Sequence, residues 1–364
     1  EYTWIDTDPE VFRFVPGVEH REWQEEEKGY CRSDGYDLLE YERVDMEMES
    51  PDKGIGSFIE MVKGYSRQQA EQEARRCVEC GLCVQACPAH MDIPDYIRAV
   101  REGELGEAVQ LLFRTNPMPS TCGRICTREC ESACAVGVNG DPLAIRWLKR
   151  FIIDSAEEGD VDAALKTAPV PSGQKVAIVG AGPGGLSCGF YLARLGHEVT
   201  IFESREHAGG MIRYGVPSYR MPYEKLEREI GFIENSGVEI RTNSKVGRDI
   251  SFLQLREEYD AVFISTGLPD PYSLRLEGED LEGVISGVEL LDRVTRGEEV
   301  QVGTSSVVIG GGNVAIDAAR TARRLGADVT ILYRRREQDM PADEEEIHDA
   351  KLEKVEIVTR AIPI

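Results

Sequence analysis

Four cysteines lie close together at Cys77, Cys80, Cys83 and Cys87, the last followed by Pro88. Three-residue steps ending in Cys-Pro are the spacing of the bacterial ferredoxin run, whose fourth thiolate usually serves the other cluster of a pair. A second set follows at Cys122, Cys126, Cys130 and Cys134. A zinc site needs only four ligands and seldom shows that run. Four plus four thiolates therefore suit two [4Fe–4S] clusters. Only Cys31 and Cys188 fall outside the two sets. Clustered thiols in a long acidic chain, without the pattern of a secreted disulfide scaffold, point to metal ligands in a reducing compartment such as the cytoplasm.

The second chemistry is carried by glycines. Gly180-Ala181-Gly182-Pro183-Gly184-Gly185 follows an apolar strand and opens a helix. Such a loop gives a tight turn, close backbone approach to a pyrophosphate and a helix N-terminus facing that anion. The strand Val199–Phe202 then ends on Glu203, placed to bind ribose hydroxyls. A second loop, Gly310-Gly311-Gly312-Asn313-Val314-Ala315, has alanine in place of the third glycine. Here Tyr333 stands where Glu203 stood, and Arg334, Arg335 and Arg336 follow. Losing the acid and gaining arginines favours a 2′-phosphate, hence NADP(H), with NAD(H) as the alternative.

These residues need a scaffold. Ser66 to Gln69 forms a capping-box pattern, so a helix is predicted to start there and to close on Arg75-Arg76. Helical periodicity is predicted over Ile93–Phe113, and another helix from Asp141-Pro142 that buries Ile145, Leu148, Phe151 and Ile152. Residues 57–168 thus read as an all-α domain holding the two clusters. After the Pro169–Gly173 linker, strands and helices alternate as in a doubly wound α/β fold. Val176-Ala177-Ile178-Val179-Gly180 recurs as Val307-Val308-Ile309-Gly310, and Leu195–Ile201 as Leu325–Ile331. The offset is 130 in both cases (310 − 180 and 325 − 195), so the chain holds two Rossmann-like modules, expected over 174–290 and 291–364. Residues 1–56, acidic and aromatic, read as an extension or docking arm, and Glu1 in place of Met leaves the native N-terminus open.

The matching stretches go further than spacing. Ala74-Arg75-Arg76-Cys77, Cys87-Pro88, Thr115-Asn116-Pro117-Met118-Pro119, Cys122-Gly123-Arg124-Ile125-Cys126 and Cys130-Glu131 resemble the cluster domain of the glutamate synthase small subunit family. The same domain occurs in the N-terminal part of dihydropyrimidine dehydrogenase and in the large subunit of electron-bifurcating NADH-dependent ferredoxin:NADP oxidoreductase. The resemblance extends over about residues 65–355. It implies crossed ligation, with one cluster on Cys77, Cys80, Cys83 and Cys134, and the other on Cys87 with members of Cys122, Cys126 and Cys130. In some relatives a Glu or Gln on the following helix completes the second cluster. Lys149 holds that position here, and an ammonium has no lone pair for iron. Cys122 is therefore expected as the fourth ligand. The resemblance also implies FAD in the first module, through Gly180, Gly182, Pro183, Gly185, Glu203, Gly209, Gly210, Met211, Val246, Thr266 and Gly267. In the second it implies nicotinamide nucleotide held by Gly310, Gly312, Asn313, Val314, Arg334 and Arg335. The family's FAD domain resumes after the NADP module, so this sequence is expected to stop inside that module.

No Ser/His/Asp or carboxylate constellation stands out, and no cysteine follows Cys188 to form a redox disulfide. No residue is therefore assigned a catalytic role, and the chemistry belongs to the cofactors. The expected function is that of an NAD(P)H-dependent oxidoreductase subunit passing electrons between NADP(H), FAD, two clusters and a partner subunit, with a ferredoxin-like partner among the candidates. The alternatives are the glutamate synthase small subunit proper, the flavin subunit of a bifurcating complex, and a wiring subunit that keeps clusters without turning over nucleotide. A formal net charge of -24 argues against nucleic acid and anionic membranes as partners. The uncharged stretch Val176–Ala193 is broken by Gly180, Gly182, Pro183, Gly184 and Gly185, so no membrane insertion is expected.

Overall fold

The computed structural model describes residues 42–275 and 277–363. Of the extension expected over 1–56, residues 1–41 lie outside that range.

Helices come first. Ser66 caps α1 (Arg67–Arg75): its hydroxyl accepts from Gln69 N–H, and the Gln69 side chain accepts from Ser66 N–H. The short α2 (Leu82–Ala86) carries Cys83. The run beginning at Ile93 is two helices rather than one, α3 (Ile93–Glu102) and α4 (Leu105–Thr115). Gly103 takes φ +82° between them, a left-handed stop that frees the chain to reverse. Two short helices, α5 (Pro119–Ile125) and α6 (Glu129–Ser132), carry Cys122 and Cys130. The next helix, α7 (Ile145–Ser155), starts later than Asp141-Pro142 suggested. Asp141 is committed elsewhere: its carboxylate accepts from Arg43 N–H, and its carbonyl from Arg76 Nη2 at 2.6 Å. As predicted, Ile145, Leu148, Phe151 and Ile152 are buried. A last helix, α8 (Glu158–Leu165), leads into the linker.

The first α/β module contains β1 (Lys175–Val179), α9 (Pro183–Arg194), β2 (Glu198–Phe202), α10 (Tyr223–Asn235), β3 (Val238–Arg241), α11 (Phe252–Glu258) and β4 (Ala261–Ile264). Its strands are all parallel in the order β3-β2-β1-β4. The second contains α12 (Gly287–Thr295), β5 (Ser305–Ile309), α13 (Asn313–Arg324), β6 (Asp328–Tyr333), α14 (Glu344–Leu352) and β7 (Glu356–Thr359), with parallel order β5-β6-β7. The internal repeat survives residue by residue: adding 130 to the bounds of β1 and α9 gives those of β5 and α13. The uncharged stretch from Val176 is β1, a turn and α9, and among the described residues no helix is long and apolar enough to cross a membrane.

Packing divides the chain differently from sequence order. One continuous apolar core runs from the helical region into the first α/β module, joining Ile97, Leu112 and Leu148 to Leu186, Ile201 and Ile233. Phe113 of α4 meets Phe232 of α10 edge-on at 5.9 Å. The second module has its own core around Ile316, Val329, Ile331 and Ile347. Charge rather than apolar surface ties it to the rest. Asp317 receives both Arg220 contacts at 2.7 and 2.9 Å, Arg220 Nε meets Glu346 at 2.8 Å, and the Arg324 guanidinium lies 3.8 Å from the Tyr219 ring centroid.

Candidate cofactor sites

Cys77, Cys80 and Cys83 come from the turn before α2 and from α2 itself, and Cys134 from the turn after α6. These four thiols, with Pro94, Ile97, Leu143 and Ile145, line one small enclosed space. Burial, helped by the neighbouring cysteines, pushes the Cys83 thiol up to about 12; burial does the same for Cys77. Such thiols stay neutral until a metal displaces their protons, so assembly releases protons. Among the described residues no three Cys, His, Asp or Glu side chains close around a single ion. Four thiols lining one space suit a cubane, which takes one thiolate at each of its four irons.

Tyr96 lies near thiols of both sets. Its ring is fully buried, its hydroxyl has no hydrogen-bond partner, and Cys130, Cys83 and Cys87 are close enough to act on it. A buried orphan hydroxyl costs about 1–3 kcal/mol, and cluster sulfur of either set would satisfy it. Cys87 follows α2, Cys122 lies in α5, Cys126 follows α5 and Cys130 lies in α6. Burial raises the thiols of Cys122 and Cys130, the latter to about 12, while the ammonium of Lys149 pulls both back. Arg128 N–H donates to Cys126 Sγ at 3.5 Å from a backbone at φ +65°. Lys149 thus faces the second set of thiols, as its position in the sequence suggested. Cys188 is partly buried against the apolar core, in keeping with a small apolar role.

In the first glycine loop, Gly182 is the N-cap of α9, and a Cβ there would find nothing nearer than 3.9 Å, leaving an open cradle. Gly210, at φ +55°, closes the other side: a Cβ on it would stand 2.7 Å from Gly182 Cα. Gly209 N–H donates to Ala181 O at 2.8 Å, fixing the Gly209-Gly210-Met211 turn on the loop. Glu203 is buried and accepts from Ala181 N–H at 2.8 Å and Arg205 N–H at 2.9 Å. It therefore organises the loop as well as standing at the expected ribose position. Arg213, absent from the expected site, borders a groove with Arg205, His207 and Tyr214, and its Nε is buried without a hydrogen-bond partner. The rest of its guanidinium lies 4.1 Å from the Tyr223 ring centroid and meets Glu227 at 3.5 Å, which leaves Nε as the donor a pyrophosphate could take. Val246 packs near Phe202 and Ala177, while Thr266 and Gly267 are exposed just beyond β4.

The second loop repeats the first. Gly312 is the N-cap of α13. Gly311 lies under the Tyr333 ring, where a Cβ would meet the ring at 2.6 Å. Tyr333 donates to Asp339 O at 2.6 Å and accepts from Arg335 Nε at 3.1 Å. Arg336 is held by Asp339 at 2.9 Å, whereas Arg334 is exposed and has no ion pair among the described residues. Met340-Pro341-Ala342 folds back onto the glycines: Ala342 N–H donates to Gly311 O at 3.1 Å and Asp343 N–H to Asn313 Oδ1 at 2.9 Å. Val314 stands half exposed in the first turn of α13.

Sequence reasoning did not find the junctions. Asp343 and Glu345 pair with Arg128, and Glu345 also with Arg146, binding the second loop to the stretch between Cys126 and Cys130. Glu229 of α10 caps α5 by accepting from Ser120 N–H, Thr121 N–H and the Thr121 hydroxyl, and burial pushes its carboxyl up to about 7. A cavity of about 340 Å³ opens where the three units meet, lined by Arg146, Arg150, Arg220, Arg320, Glu345 and Asp349 among others. None of its lining residues belongs to either glycine loop.

Comparison with known proteins adds the family. Residues 55–161 match the model described as dihydropyrimidine dehydrogenase domain II, 4Fe-4S cluster, and residues 174–361 match pyridine nucleotide-disulphide oxidoreductase. The chain is 42% identical over 301 residues to the NADP(+)-dependent formate dehydrogenase subunit beta of Moorella thermoacetica, covering 75% of this chain and 42% of that protein. It is 40% identical to the NADPH-Fe(3+) oxidoreductase subunit beta of Geobacter sulfurreducens, covering 77% and 43%. With the glutamate synthase [NADPH] small chain of Escherichia coli the identity is 33%, covering 90% and 73%. The chain thus spans about two fifths of the length of the first two relatives. Its cofactors are accordingly [4Fe–4S], FAD and NAD(P). The chain belongs to the pyridine nucleotide-disulphide oxidoreductase family, in the form that carries a dihydropyrimidine dehydrogenase-type 4Fe-4S domain ahead of the nucleotide modules.

Proposed function

We propose that this chain is the NADP(H)-side electron-transfer part of a larger cytoplasmic redox complex. When bound, FAD exchanges a hydride with NADP(H) and single electrons with the clusters, which connect to a partner subunit. The reading gives one cluster to Cys77, Cys80, Cys83 and Cys134, and the other to Cys87, Cys122, Cys126 and Cys130. Gly180, Gly182, Pro183, Gly185, Glu203, Gly209, Gly210, Met211, Val246, Thr266 and Gly267 hold FAD. Gly310, Gly312, Asn313 and Val314 hold the nicotinamide nucleotide, and Arg334 with Arg335 meets its 2′-phosphate. In this reading the protein positions and insulates; no side chain transfers a proton. The observation that carries it is the shared packing of thiols and flavin module, with Glu229 of the first module capping the helix of Cys122. The relatives differ in what their names say they reduce or oxidise but share the NADP(H) side. The partner is therefore a variable redox subunit, and a ferredoxin-like one belongs to this class.

The test uses the chain loaded anaerobically with iron, sulfide and FAD. NADPH is expected to bleach the flavin absorbance and to support reduction of an artificial dye, with NADH the poorer donor. A protein that holds both cofactor types yet is not bleached by either nucleotide is a wiring subunit and overturns the enzymatic reading.

A further inference from the structure

The helix α7 places a lysine where a cluster would concentrate negative charge. Lys149 is 4% exposed, and among the described residues its ammonium meets neither a carboxylate nor a hydrogen-bond acceptor. Its neighbours on the helix are balanced, Arg146 by Glu345 and Arg150 by Glu60 and Asp154. Its charge is therefore free to act on the groups packed around it. Two elements bring thiols to it. The helix α5 crosses α7 so closely that a Cβ on Gly123 would lie 3.0 Å from Arg150 Cα, which sets Cys122 beside Lys149. Arg146 N–H donates to Glu131 Oε1 at 2.8 Å, pinning α6 and its Cys130 against the same helix. The charge of Lys149 acts on both thiols. At the first set Glu79 acts on Cys77 but is itself paired with Arg98 and Arg101; at the second, Glu229 and Glu131 also act on Cys122 and Cys130, yet Lys149 is the charge that acts most strongly on both.

We propose that Lys149 sets the order in which the two clusters are reduced, its fixed positive charge making the cluster at Cys122 and Cys130 the easier one to reduce. The proposal rests on the two-cluster reading above. One electron added to a four-thiolate cubane takes its net charge from two negative to three negative and breaks no bond. A cation alongside stabilises the more negative state, and a carboxylate does the opposite. In turnover the electron comes from the reduced flavin; in the test it comes from dithionite.

The experiment is a mediated dithionite titration of the full cluster-loaded chain, followed by low-temperature electron paramagnetic resonance. The wild-type protein is expected to show two reduction steps. K149M lowers the upper step by about tenfold in the reduced-to-oxidised ratio, ~59 mV for one electron, and leaves the lower step in place. K149R, which keeps the charge, stays close to wild type. The proposal falls if K149M moves neither step, or if K149R shifts as far as K149M, which would mean packing rather than charge. Should K149M lose a cluster, K149A takes its place. If no charge-free variant holds the second cluster, Lys149 is a folding residue and the proposal is again overturned. Because dithionite supplies the electrons, a silent nucleotide site does not alter the outcome. Iron for a single cluster in wild type would overturn the two-cluster reading and this proposal with it.

Discussion

Arg334 and Arg335 stand at the end of β6 with different commitments. Arg335 already donates to the Tyr333 hydroxyl, whereas Arg334 is exposed. Arg336, next in line, is spent on Asp339. Charge-assisted hydrogen bonds contribute about 1.5–3 kcal/mol, so R334A and R335A are each expected to raise KM for NADPH about tenfold or more. Steady-state dye reduction should show kcat and the NADH kinetics little changed. Equal losses with NADH and NADPH would remove the 2′-phosphate role. Glu229 offers a pH test. Its folded carboxyl titrates at about 7, whereas an unfolded glutamate titrates near its ordinary value. Between those values the folded chain holds the extra proton, so stability falls as pH rises through the window, by on the order of 3 kcal/mol. Urea unfolding at pH 5 and pH 7.5 should show that fall in wild type and a flatter response in E229Q. An equal slope in both proteins would assign the pH dependence elsewhere.

At the level of elements, the crossing of α5 and α7 is the tightest constraint on the second set of thiols. A side chain on Gly123 would strike the backbone of α7 at Arg150, which cannot swing aside as a flexible side chain would. G123V is expected to cost about 1–3 kcal/mol as an overpacked contact and to lose the iron of one cluster. Denaturant unfolding and iron analysis of the same preparation would show whether both effects occur. The sequence announced some of these elements and concealed others. The capping box at Ser66 and the two glycine loops are local patterns, and they form where their residues stand. The break at Gly103 needs a left-handed residue that an apolar period does not reveal. The late start of α7 arises because Asp141 bonds to Arg43, 98 positions away. The cap on α5 comes from Glu229, 108 positions from Thr121. Partners at such distances leave no trace in spacing, so the thiols expected as ligands stand out in the sequence while the carboxylate that caps their helix does not.

On the scale of the whole molecule, one body holds the thiols and the first nucleotide loop in a common apolar core, and a second body holds the other loop. The seam between them is ionic. R220A leaves Asp317, 3% exposed, without the Nη1 that donates to both its oxygens, and breaking a buried pair of this kind costs about 3–5 kcal/mol. Hydrogen exchange of R220A should quicken over residues 305–359 and stay at wild-type rates over 175–241. Uniform quickening would mean that the two bodies unfold together.

That division has a meaning for how the machine runs. Single electrons can cross a gap, and their rate depends on how constant the gap is; a common core acts as a fixed mount for the carriers that exchange them. A hydride needs contact, and the nucleotide that brings it must arrive and leave. On the proposed function, the seam of guanidinium–carboxylate pairs that includes Arg220 and Arg128 is the part that would have to give for that exchange, while the shared core would keep the carriers' spacing.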